Sequence, residues 1–185
     1  GAIITCNHFH PFDNFAVLKA IEKELKKEPL YKVIREGNYT NFPGLYGYFF
    51  KHCNTLPLSS NIDVMKEFLG GVEHHLKNKK KILIYPEQAM WFNYKKPRPL
   101  KPGAFNFAVS FNVPILPIFI TMEDSDVIDA DGYPFQAYTI HIMPPVALDT
   151  ELSRNENIKM MSSKVYNLMK EKYEEVYQIP LVYHS

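Results

Sequence analysis

The sequence predicts an α/β fold: a mainly parallel mixed sheet with helices packed on both faces. Three observations carry that expectation. Short apolar, β-rich runs alternate with stretches of helical periodicity through most of the chain. With 185 residues, 46% hydrophobic and 22% charged, the chain has the length of about one domain and the composition of a folded one. Two polar loops, HFHPFD and PEQAMW, each follow an apolar run directly, the position of site-forming loops beyond the carboxyl ends of strands. A single domain over residues 1–185 is therefore expected.

Taken in order, AIITC (residues 2–6) is a β-rich apolar run and reads as the first strand. In the loop that follows, Pro11 disfavours helix at His10. From about Asp13 to Lys27 the chain places Phe15, Leu18, Ile21 and Leu25 at helical spacing. Asp13 or Asn14 stands at the N-cap and lysines close the last turn. YKVIRE (31–36) reads as the next strand. Residues 37–61 are mixed, with Gly and Pro as punctuation and Tyr46, Phe49 and Phe50 suggesting one short apolar helix. Asn61 can cap a helix over about 62–78 despite Gly70 and Gly71 inside it.

KKILIYPE (80–87) is a buried strand running into a Pro-Glu loop. KPGAFNFAVSFNV (101–113) reads as loop then helix, and PILPIFITM (114–122) as another strand. DSDVIDADGYPFQ (124–136) reads as a turn-rich loop. AYTIHIMPPV (137–146) alternates as a strand does, and a last helix runs from about Asn155 to Tyr177, ending before Pro180.

Bulk properties exclude several classes. A net charge of +1 gives no electrostatic case for nucleic acid. Cys6 and Cys53 form neither a disulfide framework nor a CxxC pair, which fits a reducing compartment. No apolar run nears the roughly 20 residues that span a bilayer, and no signal-peptide pattern is present. Since GAIITCN begins inside a strand, an upstream N-terminal segment is expected to precede it.

TCNHFHPFD (5–13) gathers two histidines, an asparagine and an aspartate. One reading is general-base catalysis: imidazole accepts a proton near neutral pH, and a loop folding back can set the Asp13 carboxylate against His8. A second is a metal site, with His8, His10 and Asp13 as ligands in a metal-dependent hydrolase; His74 and His75 are adjacent on a helix, and His52, His141 and His184 are isolated. The third is a capped helix start with incidental histidines.

The residues reached so far resemble a known family. Asn7, His8 and Asp13 match the Asn-His-x4-Asp first motif of the glycerophospholipid acyltransferases, the 1-acyl-sn-glycerol-3-phosphate acyltransferase (PlsC-like) family. YPEQAMW (85–91) looks like that family's third motif, a strand followed by Pro-Glu-Gly-Thr-Arg. KPGAFNFA (101–108) resembles the Lys-x-Gly segment after it, and VPILPIFI (113–120) is similar to the fourth motif. The four features occur in family order over residues 2–120.

The resemblance implies transfer of a fatty acyl chain from acyl-CoA or acyl carrier protein to a hydroxyl of a lysophospholipid-like acceptor. His8 would be the general base and Asp13 its orienting partner, with Asn7, Pro86, Glu87, Gln88, Lys101 and Gly103 around the substrates. It implies no metal and no bound cofactor beyond the acyl carrier. The setting implied is the cytoplasmic face of the cell membrane. The basic, aromatic-flanked segment NYKKPRPLK (93–101) would suit an anionic lipid surface.

Two departures bear on the acceptor. Gln88, Ala89 and Met90 stand where the family has Gly-Thr-Arg, and Ser59 and Ser60 stand where its second motif ends in arginine. Arginine suits phosphate because its planar fork binds bidentately. Either Lys51, Lys95, Lys96, Arg98 or Lys101 supplies the charge instead, or the acceptor carries no phosphomonoester. A lipid-binding protein without catalysis is the reading from outside the enzyme class.

Overall fold

The computed structural model describes residues 1–183, so His184 lies outside the described residues. β1 (Ala2–Thr5) leads through the HFHPFD loop to α1 (Asp13–Ala20) and the short α2 (Glu22–Leu25). β2 (Leu30–Arg35), α3 (Glu36–Asn41), α4 (Gly44–His52) and β3 (Thr55–Leu58) follow. Then come α5 (Ile62–Lys77), β4 (Lys81–Ile84), α6 (Gly103–Ser110), β5 (Ile115–Ile128), β6 (Pro134–Ile142) and α7 (Arg154–Tyr177).

The strands form one six-stranded sheet in the order β3-β2-β4-β1-β5-β6. All neighbours pair in parallel except β5 with β6, which are antiparallel. Side chains alternate across the sheet. Ile3 packs with Phe68 and Val72 of α5, Ala104 and Phe105 of α6 and Met161 and Val165 of α7. Its neighbour Ile4 packs on the other face with Val17 of α1, Leu25 of α2 and Ile21 between them. Burying each isoleucine contributes about 1.5–3 kcal/mol, so β1 is held in its register from both faces. Helices on both faces of a mainly parallel mixed sheet are the architecture the sequence predicts.

Four local expectations need correction. The helix from Asp13 breaks at Ile21 and stops at Lys26, which is left-handed at φ 49°. Neither expected residue caps it: Phe12 occupies the N-cap, and Asp13 begins the helix with its carboxylate turned back into the loop. Residues 37–61 hold two helices and the strand β3 in place of one helix. β3 is four residues long and contains Pro57, which a sheet tolerates here because β3 is an edge strand.

The fourth is residues 124–136, which are mostly strand. β5 continues to Ile128 and returns as β6 from Pro134. Past Met122 this hairpin leaves the core and its side chains become mostly exposed. Acidic residues there need no apolar partner, so they carry no hydrophobic alternation. The ladder holds through backbone pairs, and the turn is closed by Asp129, whose Oδ1 accepts from Asp131 N and Tyr133 N at 2.9 and 3.0 Å.

Candidate active site

The site is built where β1 and β4 end. Directly after β1, the buried Asn7 side chain extends the pairing with β5. Its Nδ2 donates to Ile120 O at 3.0 Å and its Oδ1 accepts from Ile120 N at 2.9 Å. The amide thus fixes the root of the loop, and His8 leaves the sheet from a rigid base. Asn7, expected at the substrate, is only 2% exposed.

His8 Nδ1 lies 2.8 Å from Asp13 Oδ2, and the two side chains are 25% and 1% exposed. The same oxygen accepts from Phe9 N at 3.2 Å and His10 N at 3.3 Å. Asp13 Oδ1 accepts from the Tyr85 hydroxyl at 2.5 Å. Four donors therefore satisfy a buried carboxylate, which would otherwise be costly to place there. Because Asp13 engages Nδ1, the proton sits on that nitrogen and Nε2 is the basic one. The Tyr85 ring also stacks on His8, with centroids 4.1 Å apart and planes at 22°. Burial first, and then the Asp13 charge, hold the Tyr85 phenol well above its ordinary range.

The loop after β4 is stitched to the His8 loop. Trp91 N donates to His8 O at 3.2 Å and Asn93 N to Phe9 O at 3.0 Å. Glu87 splints the two from below: its Oε2 accepts from His8 N at 3.2 Å and its Oε1 from Arg98 N at 3.0 Å. Burial pushes the Glu87 carboxyl up to about 7, outweighing those two N–H groups and the Arg98 and His8 charges. Glu87 is 5% exposed and Pro86 is buried too, so these two expected substrate contacts face inward and hold the rim. Gln88 and Lys101 are exposed, and Gly103 opens α6 with clear space above it. Gln88 sits at φ 60°, the left-handed region that glycine adopts freely and other residues do not.

Ser59 is buried, donates its hydroxyl to Glu36 and accepts from Asn61 N at 2.9 Å. It ties the end of β3 to the end of β2. Among the candidate cations, Lys95 is 3.7 Å from Asp124 and Lys96 donates to Val182 O at 2.7 Å. Arg98 Nη1 donates to Ala89 O at 2.8 Å while its guanidinium lies 4.0 Å over the Trp91 ring. Its charge therefore rests against both neighbours of Met90. His10 Nδ1 accepts from Phe12 N at 3.1 Å. Among the described residues no three His, Cys, Asp or Glu side chains gather as a metal-ligand set.

Exposed aromatic rings surround this edge. Phe92 lies 5.5 Å from His10, His10 5.7 Å from Phe12, and Phe12 6.1 Å from Tyr46 of α4. Leu45 and Tyr48 on α4 are also exposed. No helix among the described residues is long and apolar enough to cross a membrane. A groove of about 600 Å³ opens elsewhere, between α5, α6 and the start of α7, and contains none of the candidate residues. Sequence reasoning missed Tyr85; the signal was a phenol directly after a buried apolar run, a hydroxyl that needs a partner.

The sequence model described as Acyltransferase matches residues 1–121. Among solved structures the chain is similar to the crystal structure of the 1-acyl-sn-glycerophosphate (LPA) acyltransferase PlsC from Thermotoga maritima. That match has a TM-score of 0.63 and 20% identity, and covers 98% of this chain and 68% of that one. No curated protein matches the chain. The family match spans more than half of the chain, including the whole His8–Asp13 edge, and on it the chain belongs to the Acyltransferase family.

Proposed function

We propose that this acyltransferase moves a fatty acyl chain from an acyl-CoA or acyl carrier protein thioester to a hydroxyl of a lysophospholipid-like acceptor. The observation that carries the reading is the 2.8 Å contact between His8 Nδ1 and the buried Asp13 carboxylate. With Nδ1–H directed at Asp13, His8 Nε2 takes the proton of the acceptor hydroxyl. The oxygen bonds to the thioester carbonyl carbon, the tetrahedral intermediate expels the thiolate by breaking the C–S bond, and the imidazolium proton passes to that sulfur. Ester and free thiol leave, and His8 returns to the neutral state. The acyl carrier is the only cofactor in this scheme.

Arg98 supports a phosphate-bearing acceptor. It brings a guanidinium against Ala89 and Trp91, flanking the position where the related motif has its arginine. The solved relative is named for 1-acyl-sn-glycerophosphate, an acceptor of this kind. The exposed aromatic rim, with Lys101 and the other basic residues of 95–101 beside it, suits docking at the anionic cytoplasmic face of a membrane.

An acyl-transfer assay tests this, with both donor types and a panel of phosphate-bearing and phosphate-free lipid acceptors. The expected result is transfer to lysophosphatidic acid, reduced about 10²- to 10⁴-fold in His8→Ala. Arg98→Ala is expected to raise KM for phosphate-bearing acceptors alone by roughly tenfold, the loss of one charge-assisted contact. Transfer that survives His8→Ala would remove the base assignment. Transfer confined to phosphate-free acceptors would remove the role given to Arg98.

A further inference from the structure

We infer that Tyr85 is a positioning residue that sets the proton affinity of His8, fixing the imidazole plane with its ring and drawing on the Asp13 charge with its hydroxyl. The inference rests on the reading of His8 as general base. One side chain touches both members of the pair: its hydroxyl reaches Asp13 Oδ1 at 2.5 Å and its ring stacks on His8 at 4.1 Å. The three other donors to Asp13 all meet Oδ2, so Tyr85 has the opposite oxygen.

Packing alone does not call for the hydroxyl. Tyr85 lies against the apolar cluster of Ile4, Cys6, Phe9 and Leu83, where a phenylalanine ring would fill the same space. A buried hydroxyl costs free energy unless it is paired, and here its partner is the carboxylate that orients His8. Burial and the Asp13 charge keep the phenol protonated, so it remains a donor to Asp13.

A hydrogen bond to a carboxylate takes up part of its charge. Asp13 then stabilises the imidazolium less, and His8 remains a neutral base to lower pH than it would beside an unbonded carboxylate. Stacking on the electron-rich ring acts in the other direction, favouring the cation. The two effects separate on substitution, because Tyr85→Phe keeps the ring and deletes only the hydroxyl. The other groups facing the pair stay in place. Glu87 holds His8 N and Arg98 N, while Cys6 and Tyr138 lie within the field of Asp13.

The test measures the pH dependence of kcat/KM and the NMR titration of the His8 ring in the full chain. Wild type, Tyr85→Phe, His8→Ala and protein carrying 3-fluorotyrosine at position 85 are compared. Tyr85→Phe is expected to move the acid limb and the ring titration up by roughly half to one pH unit. Its KM values should stay within about twofold, since no substrate contact is removed. The fluorinated phenol, a stronger donor of nearly the same shape, should move both curves down, and it decides the matter if Tyr85→Phe does not fold. Curves that coincide with wild type, or a rate loss with no displacement of either curve, would overturn the inference. If His8→Ala retains transfer, the base assignment fails separately, and the ring titration still reports whether Tyr85 acts on His8.

Discussion

Two buried carboxylates, Asp13 at the β1–α1 turn and Glu87 in the loop after β4, hold the same sheet edge in different ways. Asp13 takes four donors, two of them side chains, and one of those is the imidazole of His8. Among the described residues Glu87 takes two donors, both backbone N–H groups, and joins the His8 loop to residue 98. In the proposed mechanism the first orients the reacting ring, while the second fastens backbone. For Glu87 burial outweighs these two donors and raises it to about 7. Residue type and burial are therefore poor guides to role; the identity of the donors is the better one.

The largest expected effect tests the Asp13 side of this contrast. Asp13→Asn keeps the volume but removes the charge opposite the imidazolium. Turnover should fall about 10²- to 10⁴-fold with KM nearly unchanged, as measured by steady-state acyl transfer. A variant within a few fold of wild type would place Asp13 alongside Glu87 as a backbone anchor.

Glu87→Gln comes next. One amide end must face an N–H that the carboxylate accepted, costing roughly 1–3 kcal/mol of stability. The acid also has a pH signature. Its folded value of about 7 lies above the ordinary 4.5, so between those limits the native state binds more protons than the unfolded chain. The stabilisation is complete below pH 4.5 and is lost as pH rises through 7, by roughly 3 kcal/mol in all. Urea unfolding at several pH values should show this decline in wild type and its absence in Glu87→Gln. An unchanged slope would mean that Glu87 is not the titrating group.

The smallest effect concerns Gln88, which follows Glu87 at φ 60°. Gln88→Gly should relieve the left-handed strain and stabilise the chain by about 0.5–1 kcal/mol, read as a raised thermal midpoint. A lowered midpoint would show that the Gln88 side chain, though exposed, holds the loop.

Much of the site was legible because it is local. Asn7, His8 and Asp13 lie within one strand–turn–helix, so covalent spacing brings the carboxylate to the ring. The contributions from farther away were not. Tyr85 reaches Asp13 across 72 residues, and the Asn7 amide bonds Ile120 across 113. Nothing in the spacing of Arg98 predicts that its side chain returns to Ala89 and Trp91. The strand β3 was hidden by Pro57, and the outer β5–β6 hairpin by its charge.

What the sequence determined by itself was therefore the set of elements whose signal is carried by neighbours in the chain: the alternating strands and helices, and the His8–Asp13 pairing. Strand order, the antiparallel placement of β6, and the choice of which buried polar groups meet were decided only by the tertiary structure. Those outcomes depend on surfaces brought together by closing long loops, and a donor's partner is fixed only when burial removes water as the alternative.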